Sequence, residues 1–217
     1  VNMDNLETTI NQIPPEKAIT QLSKKQQAVL KASLSLFAKV GYDRTSTYEI
    51  AKLAGVSEGT VFSQFKTKNQ LLHAILGPFI GEILPMAASE FINQLQTTSL
   101  PHFEDFLNYI VHDRMSFVMS HRSEFKIFVQ EMGRNPQLLI MLTERLNTLI
   151  NRRLSEMLRF YQDKGELITW DPMRISRYIV SVILGYLLPN TLMSDEPLVI
   201  EQQTRECVEF LMRGLSA

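Results

Sequence analysis

The sequence has few of the features that mark secreted, membrane-spanning or disulfide-stabilised proteins. Its 217 residues include a single cysteine, which cannot form an intramolecular disulfide bond. No run of apolar residues reaches the roughly 18 that a membrane-spanning helix needs, and the first residues lack the basic and then apolar order of a secretory signal. Because 45% of the residues are hydrophobic, the chain can bury a substantial core. These features predict a cytoplasmic globular protein.

Motifs of several enzyme classes are also missing. The sequence contains no His-Glu-x-x-His zinc motif, no Glu-x-x-His pair and no glycine-rich phosphate loop. Its four histidines are scattered, with no two of them three or four residues apart. The sequence therefore predicts no catalytic residue, no metal site and no cofactor. An enzyme and a helical protein-interaction module stay open as alternatives to the function developed below.

Basic residues are concentrated near the N-terminal end. From Lys24 to Lys68, eight Lys and Arg stand against three Asp and Glu, a net charge of +5, whereas residues 69–217 carry 13 against 17, or −4. A basic segment joined to an acidic remainder is typical of a nucleic-acid-binding head on a body that repels phosphate.

Residues 45–68 predict two short helices joined at Gly55. Ser46 with Glu49 forms a capping box that begins the first helix, and Gly55 ends it. Ser57 can cap the second helix, which carries Val61 on its inner face. Its outward-pointing hydrogen-bonding residues are Thr60, Ser63 and Gln64. This arrangement is a helix-turn-helix, whose second helix enters the major groove of DNA.

Helical periodicity continues along most of the chain, and no segment alternates like a strand between hairpin turns. We predict a helix that follows Ser23, one that follows Thr67 and is kinked or broken near Pro78 and Pro85, and helices at 101–119, 122–133, 136–163, 172–190 and 196–213. The predicted fold is all-α with about nine helices. A flexible tail at 1–22 precedes a three-helix DNA-binding head at 23–68 and a larger effector-binding and dimerisation domain at 69–217.

A further pattern runs through residues 24–75. It consists of Ala-Lys-Val-Gly-Tyr at 38–42, Ile50-Ala51, Ala-Gly-Val-Ser at 54–57, Gly-Thr-Val-Phe at 59–62, Phe65, and Lys68 with Leu71-Leu72. In these residues the chain resembles the TetR family of bacterial transcriptional repressors. The resemblance implies a homodimer in which each head binds half of a palindromic operator and each body binds a small effector.

The resemblance also implies which residues contact DNA. It places Thr47, at the start of the first motif helix, and Lys68, at the start of the fourth helix, against phosphates. Gly59 lets the backbone approach the DNA closely. Phe62 replaces the usual tyrosine, and Gln64 replaces a common histidine and can read adenine. The predicted DNA-binding residues are Lys24, Lys25, Thr47, Ser57, Glu58, Gly59, Thr60, Phe62, Ser63, Gln64 and Lys68.

The C-terminal two thirds carry the candidate effector residues. Methionine and aromatic side chains interspersed with a few polar groups suit a pocket for apolar ligands, although they suit an ordinary core equally well. We expect a small hydrophobic effector that releases the DNA. The candidate ligand-binding residues are Phe106, Tyr109, His112, Asp113, Met119, Phe128, Met132 and Tyr178.

The last two helices carry more apolar residues than one core-facing stripe needs. A second copy of the chain could cover the excess, which predicts a dimer interface of four helices, two from each chain. The candidate interface residues are Ile175, Tyr178, Ile179, Val182, Ile183, Tyr186, Val208 and Leu211.

Overall fold

The computed structural model describes residues 22–135, 138, 140, 153–194, 196 and 198–217, without the side chain of Gln96. The predicted tail at 1–22 lies outside the described residues except for its last residue. Of the helix predicted at 136–163, residues 153–163 are described as a continuous helical stretch, and most of the earlier part lies outside them.

Helices are the regular secondary structure of the described residues, and short turns and loops connect them. In chain order these are α1 (Lys24–Val40), α2 (Thr47–Ala54), α3 (Glu58–Gln64), α4 (Lys68–Pro78), a π-helical turn (Phe79–Ile83), α5 (Leu84–Thr97), α6 (Phe103–Ser120), α7 (Arg122–Met132), α8 (153–163), α9 (Pro172–Met193) and α10 (Ile200–Leu215). Within these residues the only β-type pairing is an isolated bridge between Leu167 and Ser216. The all-α prediction is confirmed.

The helix boundaries in the N-terminal region follow from local capping. The Ser46 hydroxyl accepts the Glu49 N–H, and the Glu49 carboxylate accepts the Ser46 N–H at 2.8 Å, so the predicted capping box is formed. Gly55 ends α2 in the left-handed conformation, with φ 68° and ψ 32°, which a residue without Cβ adopts at little cost. Ser57 then accepts the Thr60 N–H and begins α3.

The predicted break near Pro78 and Pro85 is a widened turn rather than an interruption. The Leu84 N–H donates to the Phe79 carbonyl, five residues earlier, across the π-helical turn. Proline has no N–H and clashes with the carbonyl four residues before it. Pro78 is the last residue of α4. For Pro85 the carbonyl four residues earlier is that of Gly81, inside the widened turn, so the turn lets the chain accommodate Pro85 and remain helical.

The chain divides into two compact units. The head unit contains the described residues up to Met86 together with those from Ser123 to Ile140, and the body unit contains Ala87–Arg122 and the described residues after Met141. The head core includes Val29, Phe37, Ile50, Val61 and Leu71, each at most 1% exposed. The body core includes Phe103, Phe106, Leu107, Val111, Met115, Leu158, Tyr161, Ile175 and Cys207, all fully buried.

Two stretches, Lys68–Leu95 and Pro172–Met193, are long and apolar enough to cross a membrane by length and composition. Neither stretch is an unbroken run of apolar residues, so neither is found when the sequence is searched for such runs. Core helices of folded helical proteins pass the same test. Both stretches contribute buried residues to the two cores, such as Leu71, Phe91, Ile179 and Leu187.

Candidate DNA-binding site

The helix-turn-helix is built from α2 and α3 around a small apolar contact. Ile50 and Ala51 of α2 are buried, and Val61 is the buried residue of α3. The Val56 N–H donates to the Ala51 carbonyl at 3.0 Å, which closes the turn between the helices. With one face of α3 packed, its remaining residues are available to face a partner.

The hydroxyl groups of α3 are largely used within the helix. Ser57 Oγ and Thr60 Oγ1 lie 2.9 Å apart, and Ser63 Oγ donates to the Thr60 carbonyl at 2.9 Å. Gln64 Nε2 donates weakly to Ser63 Oγ at 3.3 Å. Phe62 projects outward and is 46% exposed. The side chains with the length to reach a base edge are therefore Glu58, Phe62 and Gln64.

Gly59 has no structural reason within the chain to be glycine. An added Cβ would meet only Ser57 Oγ, at 3.9 Å, which is an ordinary contact, and the residue does not have a positive φ. Alanine would favour the helix by about 1 kcal/mol over glycine. The space beside Gly59 is therefore consistent with close approach of an outside molecule.

Thr47 and Glu58 join the first residues of the two motif helices. Thr47 Oγ1 donates to Glu58 Oε1 at 2.5 Å. A threonine hydroxyl has one proton to donate, and a phosphate oxygen is an acceptor. The phosphate contact predicted for Thr47 would therefore require this bond to break.

Lys68 is also engaged within the protein. Its Nζ donates to the carbonyls of Tyr42 at 2.9 Å, Thr45 at 3.1 Å and Asp43 at 3.4 Å, and it lies 4.4 Å from the centre of the Tyr42 ring. An ammonium group has three protons to donate. The ammonium group thus fastens the loop between α1 and α2, and a phosphate contact would need it to give up a carbonyl.

Known proteins are similar to this chain in the sequence of the segment and in fold. Residues 29–75 match the bacterial regulatory proteins of the tetR family. The chain is 26% identical over 195 residues to the HTH-type transcriptional regulator YvkB of Bacillus subtilis (strain 168), which covers 87% of this chain and 96% of YvkB. It is also 26% identical over 157 residues to the HTH-type transcriptional regulator UidR of Escherichia coli (strain K12), covering 68% and 71%. The chain belongs to the TetR family.

Solved structures extend the similarity of fold to most of the chain. The ketosteroid transcriptional regulator KstR2 of Mycobacterium tuberculosis aligns with a TM-score of 0.65 at 16% identity, over 90% of this chain and 96% of that one. A tetR-family regulatory protein from Rhodococcus RHA1 aligns with a TM-score of 0.60 at 18% identity, over 88% and 97%. These structures show the fold, and the sequence matches identify the protein as a TetR-family transcriptional regulator with a helix-turn-helix DNA-binding segment.

Two predicted residues and one that was not predicted lie at the starts of α1 and α2. Lys24 and Lys25, predicted to contact DNA, are exposed at the start of α1. Tyr48 follows Thr47 and is 63% exposed, although it was not among the predicted contacts. Its position off the apolar face formed by Ile50 and Ala51 is the signal that could have identified it.

Residues 55–59, Gly-Val-Ser-Glu-Gly, match the Gly-x-Ser-x-Gly pattern of a hydrolase nucleophile. That pattern acts on a sharp turn between a strand and a helix. Here α2 precedes the turn, and the Ser57 hydroxyl caps α3. The match to the hydrolase pattern is therefore explained by the helix-turn-helix, in which Ser57 caps a helix and is not a nucleophile.

A second set of charges ties α7 to the loop that Lys68 fastens. Arg134 lies 2.5 Å from the Asp43 carboxylate and 3.6 Å from that of Glu131. Burial raises the pKa of Glu131 above its ordinary value, and Asp43 adds to the increase, while Arg134 and Lys68 oppose it. Within the head unit, the ion pairs of Arg134 thus link the C-terminal end of α7 to the loop between α1 and α2.

The predicted effector residues do not belong to one compact unit. Phe128 and Met132 lie in the head unit, where Phe128 packs against Phe79, and the other six lie in the body unit. Among those six, Phe106 is fully buried and His112 is exposed. Met119 is partly buried against the body core. These three therefore lie in different environments.

Tyr109 and Asp113 belong to a polar and aromatic cluster of the body unit. Tyr109 Oη donates to Gln94 Oε1 at 2.7 Å, and its ring stacks on Phe91. Arg114 pairs with the Asp113 carboxylate and lies 4.4 Å from the centre of the Phe91 ring. Both members of the ion pair are only 27% exposed. We call Phe91, Gln94, Tyr109, Asp113 and Arg114 the Tyr109 cluster.

Most of the predicted dimer residues require a correction, because they belong to the core of their own chain. Each of these is at most 5% exposed within a single copy: Ile175, Ile179, Ile183, Val208 and Leu211. Side chains already covered by their own chain cannot supply the contact surface. Of the remaining three, Tyr178 is 40% exposed and Val182 and Tyr186 are partly buried, with Tyr186 Oη donating to Glu206.

An apolar groove lies on the outer side of α9 and α10. It has a volume of about 350 Å³ and is lined by Trp170, Tyr178, Ser181, Val182, Phe210, Leu211, Gly214 and Leu215. Phe210 is 66% exposed, and Arg174 stacks on the Trp170 ring at 3.7 Å. We call this the Phe210 groove. Its exposed apolar side chains are the part of the predicted interface that a partner can reach.

Proposed function

We propose that the protein is a repressor that binds a palindromic operator as a homodimer and releases it when a small apolar effector binds. The observation that carries DNA binding is the face of α3 that is not packed on α2, in a segment of net charge +5. A helix exposed in this way fits the major groove. The expected setting is the cytoplasm, where bacterial DNA is accessible.

The decisive experiment is recovery of genomic DNA fragments on the purified protein, followed by sequencing. We expect the retained fragments to share an inverted repeat, because a twofold dimer presents two identical heads. Binding should weaken steeply with salt, since phosphate contacts release counterions. If no duplex is retained even at low salt, the proposal fails and a helical protein-interaction module takes its place.

The Phe210 groove supports a homodimer. An exposed apolar surface formed by two neighbouring helices is costly unless a partner covers it. In an isologous contact the same groove is used on both copies. Ser181 and Gly185 lie about one turn apart on α9 and are exposed, and such small residues allow two helices to approach closely. A second copy of this chain is therefore the proposed occupant.

The Tyr109 cluster supports an effector site in the body unit. A pocket for an apolar molecule needs a few polar groups to orient its ligand, and Tyr109 with Asp113 supplies them beside the Phe91 ring. We expect the effector to bind the DNA-free state more tightly, with a coupling free energy of about 1–3 kcal/mol. By linkage, operator DNA must weaken effector binding by the same factor.

A thermal-shift screen of apolar compounds tests this part of the proposal. Each hit is then titrated in the presence and absence of the operator fragment. We expect hits whose affinity falls when operator is present and is reduced by Tyr109→Phe. Hits that are indifferent to the operator would show that the compound does not control DNA binding.

A further inference from the structure

Glu58 is the acidic residue on the outward face of α3, and its carboxylate is held by a neighbouring helix. Thr47 Oγ1, at the first residue of α2, donates to Oε1 of Glu58 at 2.5 Å. Among the described residues, no Lys, Arg or His lies within 4 Å of the Glu58 carboxylate to form an ion pair. Oε1 is thus fixed by one hydrogen bond, and Oε2 is available as an acceptor.

A carboxylate facing the major groove is selective because it can only accept hydrogen bonds. Guanine and thymine present acceptors there, and both repel it. Adenine presents an amino donor beside the N7 acceptor, whereas the donor of cytosine, N4, has no acceptor next to it on the same base. Among the four bases, cytosine is therefore the best partner for Glu58.

The other polar side chains of α3 are less suited to this task. Ser57, Thr60 and Ser63 are short, and their hydroxyls bond to one another or to the helix backbone. Glu58 is longer, exposed and oriented by a contact from outside its own helix. We propose that Glu58 reads a cytosine in each operator half-site and that Thr47 is the positioning residue that aims its carboxylate.

This inference rests on the proposed function and adds a residue that determines base preference. A negative charge near phosphates weakens binding to every sequence, so Glu58 contributes to specificity at the expense of affinity. A Glu58 that served only to begin α3 would have the same electrostatic cost but no effect on base preference. The two roles predict different outcomes when the charge alone is removed.

The test uses the full-length protein and the operator fragment recovered from genomic DNA, with all four base pairs placed in turn at every position. Glu58→Gln keeps the size and removes the charge. We expect it to raise affinity for most sequences, to lower the cytosine preference at one position of each half-site by about 10-fold, and to favour adenine there, since Gln pairs with N6 and N7 of adenine.

Thr47 provides the matched pair of variants. Thr47→Val removes the hydroxyl at nearly constant volume and should reduce the same cytosine preference, whereas Thr47→Ser should retain it. A uniform gain of affinity at every position in Glu58→Gln, with the cytosine preference unchanged, would overturn the inference. If the unmodified protein binds no duplex, the proposed function fails, and the inference falls with it.

Discussion

The outward faces of α3 and α9 differ in how far the local sequence reveals them. In α3 a serine cap and one buried residue, Val61, leave the other side chains pointing outward. In α9 apolar residues surround most of the helix, and Ile175, Ile179 and Ile183 face the core while Tyr178 and Val180 do not. A polar surface is therefore visible in the sequence, whereas an apolar surface depends on which neighbour covers it.

The largest expected effect distinguishes exposed apolar residues of the body unit from those that face its core. Phe210→Arg places a charge in the Phe210 groove at a side chain that is 66% exposed, so the monomer should still fold. We expect loss of the dimer and an operator affinity lower by 100-fold or more, because the two heads no longer bind together. Sedimentation and operator titration measure the two quantities.

Val180→Arg is the matched control for the Phe210 variant. Val180 is 52% exposed and lies two residues beyond Tyr178, about 200° around the helix, and we expect the dimer to remain. Ile179→Arg, in contrast, buries an unpaired charge and should unfold the body unit. A Phe210→Arg protein that sediments as a dimer would place the interface elsewhere.

The features that could be predicted from the sequence are those that depend on neighbouring residues, and the contacts between distant residues could not be predicted. The capping box of Ser46 and Glu49, the helix that follows Ser23, the stop at Gly55 and the disturbed helix near Pro78 were predicted because each depends on residues close in sequence. The engagement of Lys68 by three carbonyls and the bond between Thr47 and Glu58 join residues 11 to 26 positions apart. No periodicity in the sequence encodes such contacts. The family resemblance therefore predicted phosphate contacts for Thr47 and Lys68 but not the bonds that these residues make within the protein.

The next effect concerns Lys68, whose predicted DNA contact competes with its contacts in the protein. Lys68→Ala leaves three carbonyls of the α1–α2 loop without their donor, and loss of such a charge-assisted contact costs about 1–3 kcal/mol. We expect a lower free energy of unfolding in urea. Lys66→Ala, at an exposed lysine two residues earlier, should leave stability nearly unchanged.

Operator binding by the same variant separates the two roles of Lys68. If Lys68 also contacts a phosphate, Lys68→Ala should reduce the slope of log affinity against log salt by about one unit. Equal stability of Lys68→Ala and the unmodified protein would contradict the role assigned to the three carbonyl contacts.

A smaller effect with opposite signs is expected at Gly59. The chain has space for a Cβ at this position, so Gly59→Ala should raise the free energy of unfolding by about 1 kcal/mol. The same methyl group would obstruct close approach of DNA and weaken binding to all sequences. Gains in both stability and affinity would show that Gly59 does not lie against the DNA.

The smallest expected effect is on how stability depends on pH, and it differs in sign between one carboxylate of the body unit and one of the head unit. In the body unit, Lys164 at 2.6 Å, the Phe103 N–H at 2.7 Å and His102 at 3.2 Å hold the pKa of Glu166 down to about 2. A depressed carboxyl pKa contributes stability above the unfolded value, and this contribution is lost as pH falls toward the folded value. In the head unit, burial raises the pKa of Glu131, so its contribution is present at low pH and is lost as pH rises through the raised value.

Unfolding midpoints of two conservative variants, measured between pH 2 and pH 8, test these opposite signs. Glu166→Gln should be less stable than the unmodified protein at neutral pH, and the two curves should converge as pH falls from about 5 toward 2. Glu131→Gln should show the reverse, with curves that agree most closely in acid and a variant that gains relative stability as pH rises. The single tryptophan, Trp170, lies in the body unit, and its fluorescence reports on that unit separately. Variant curves that run parallel to that of the unmodified protein over the whole range would show that neither carboxylate changes its pKa on folding.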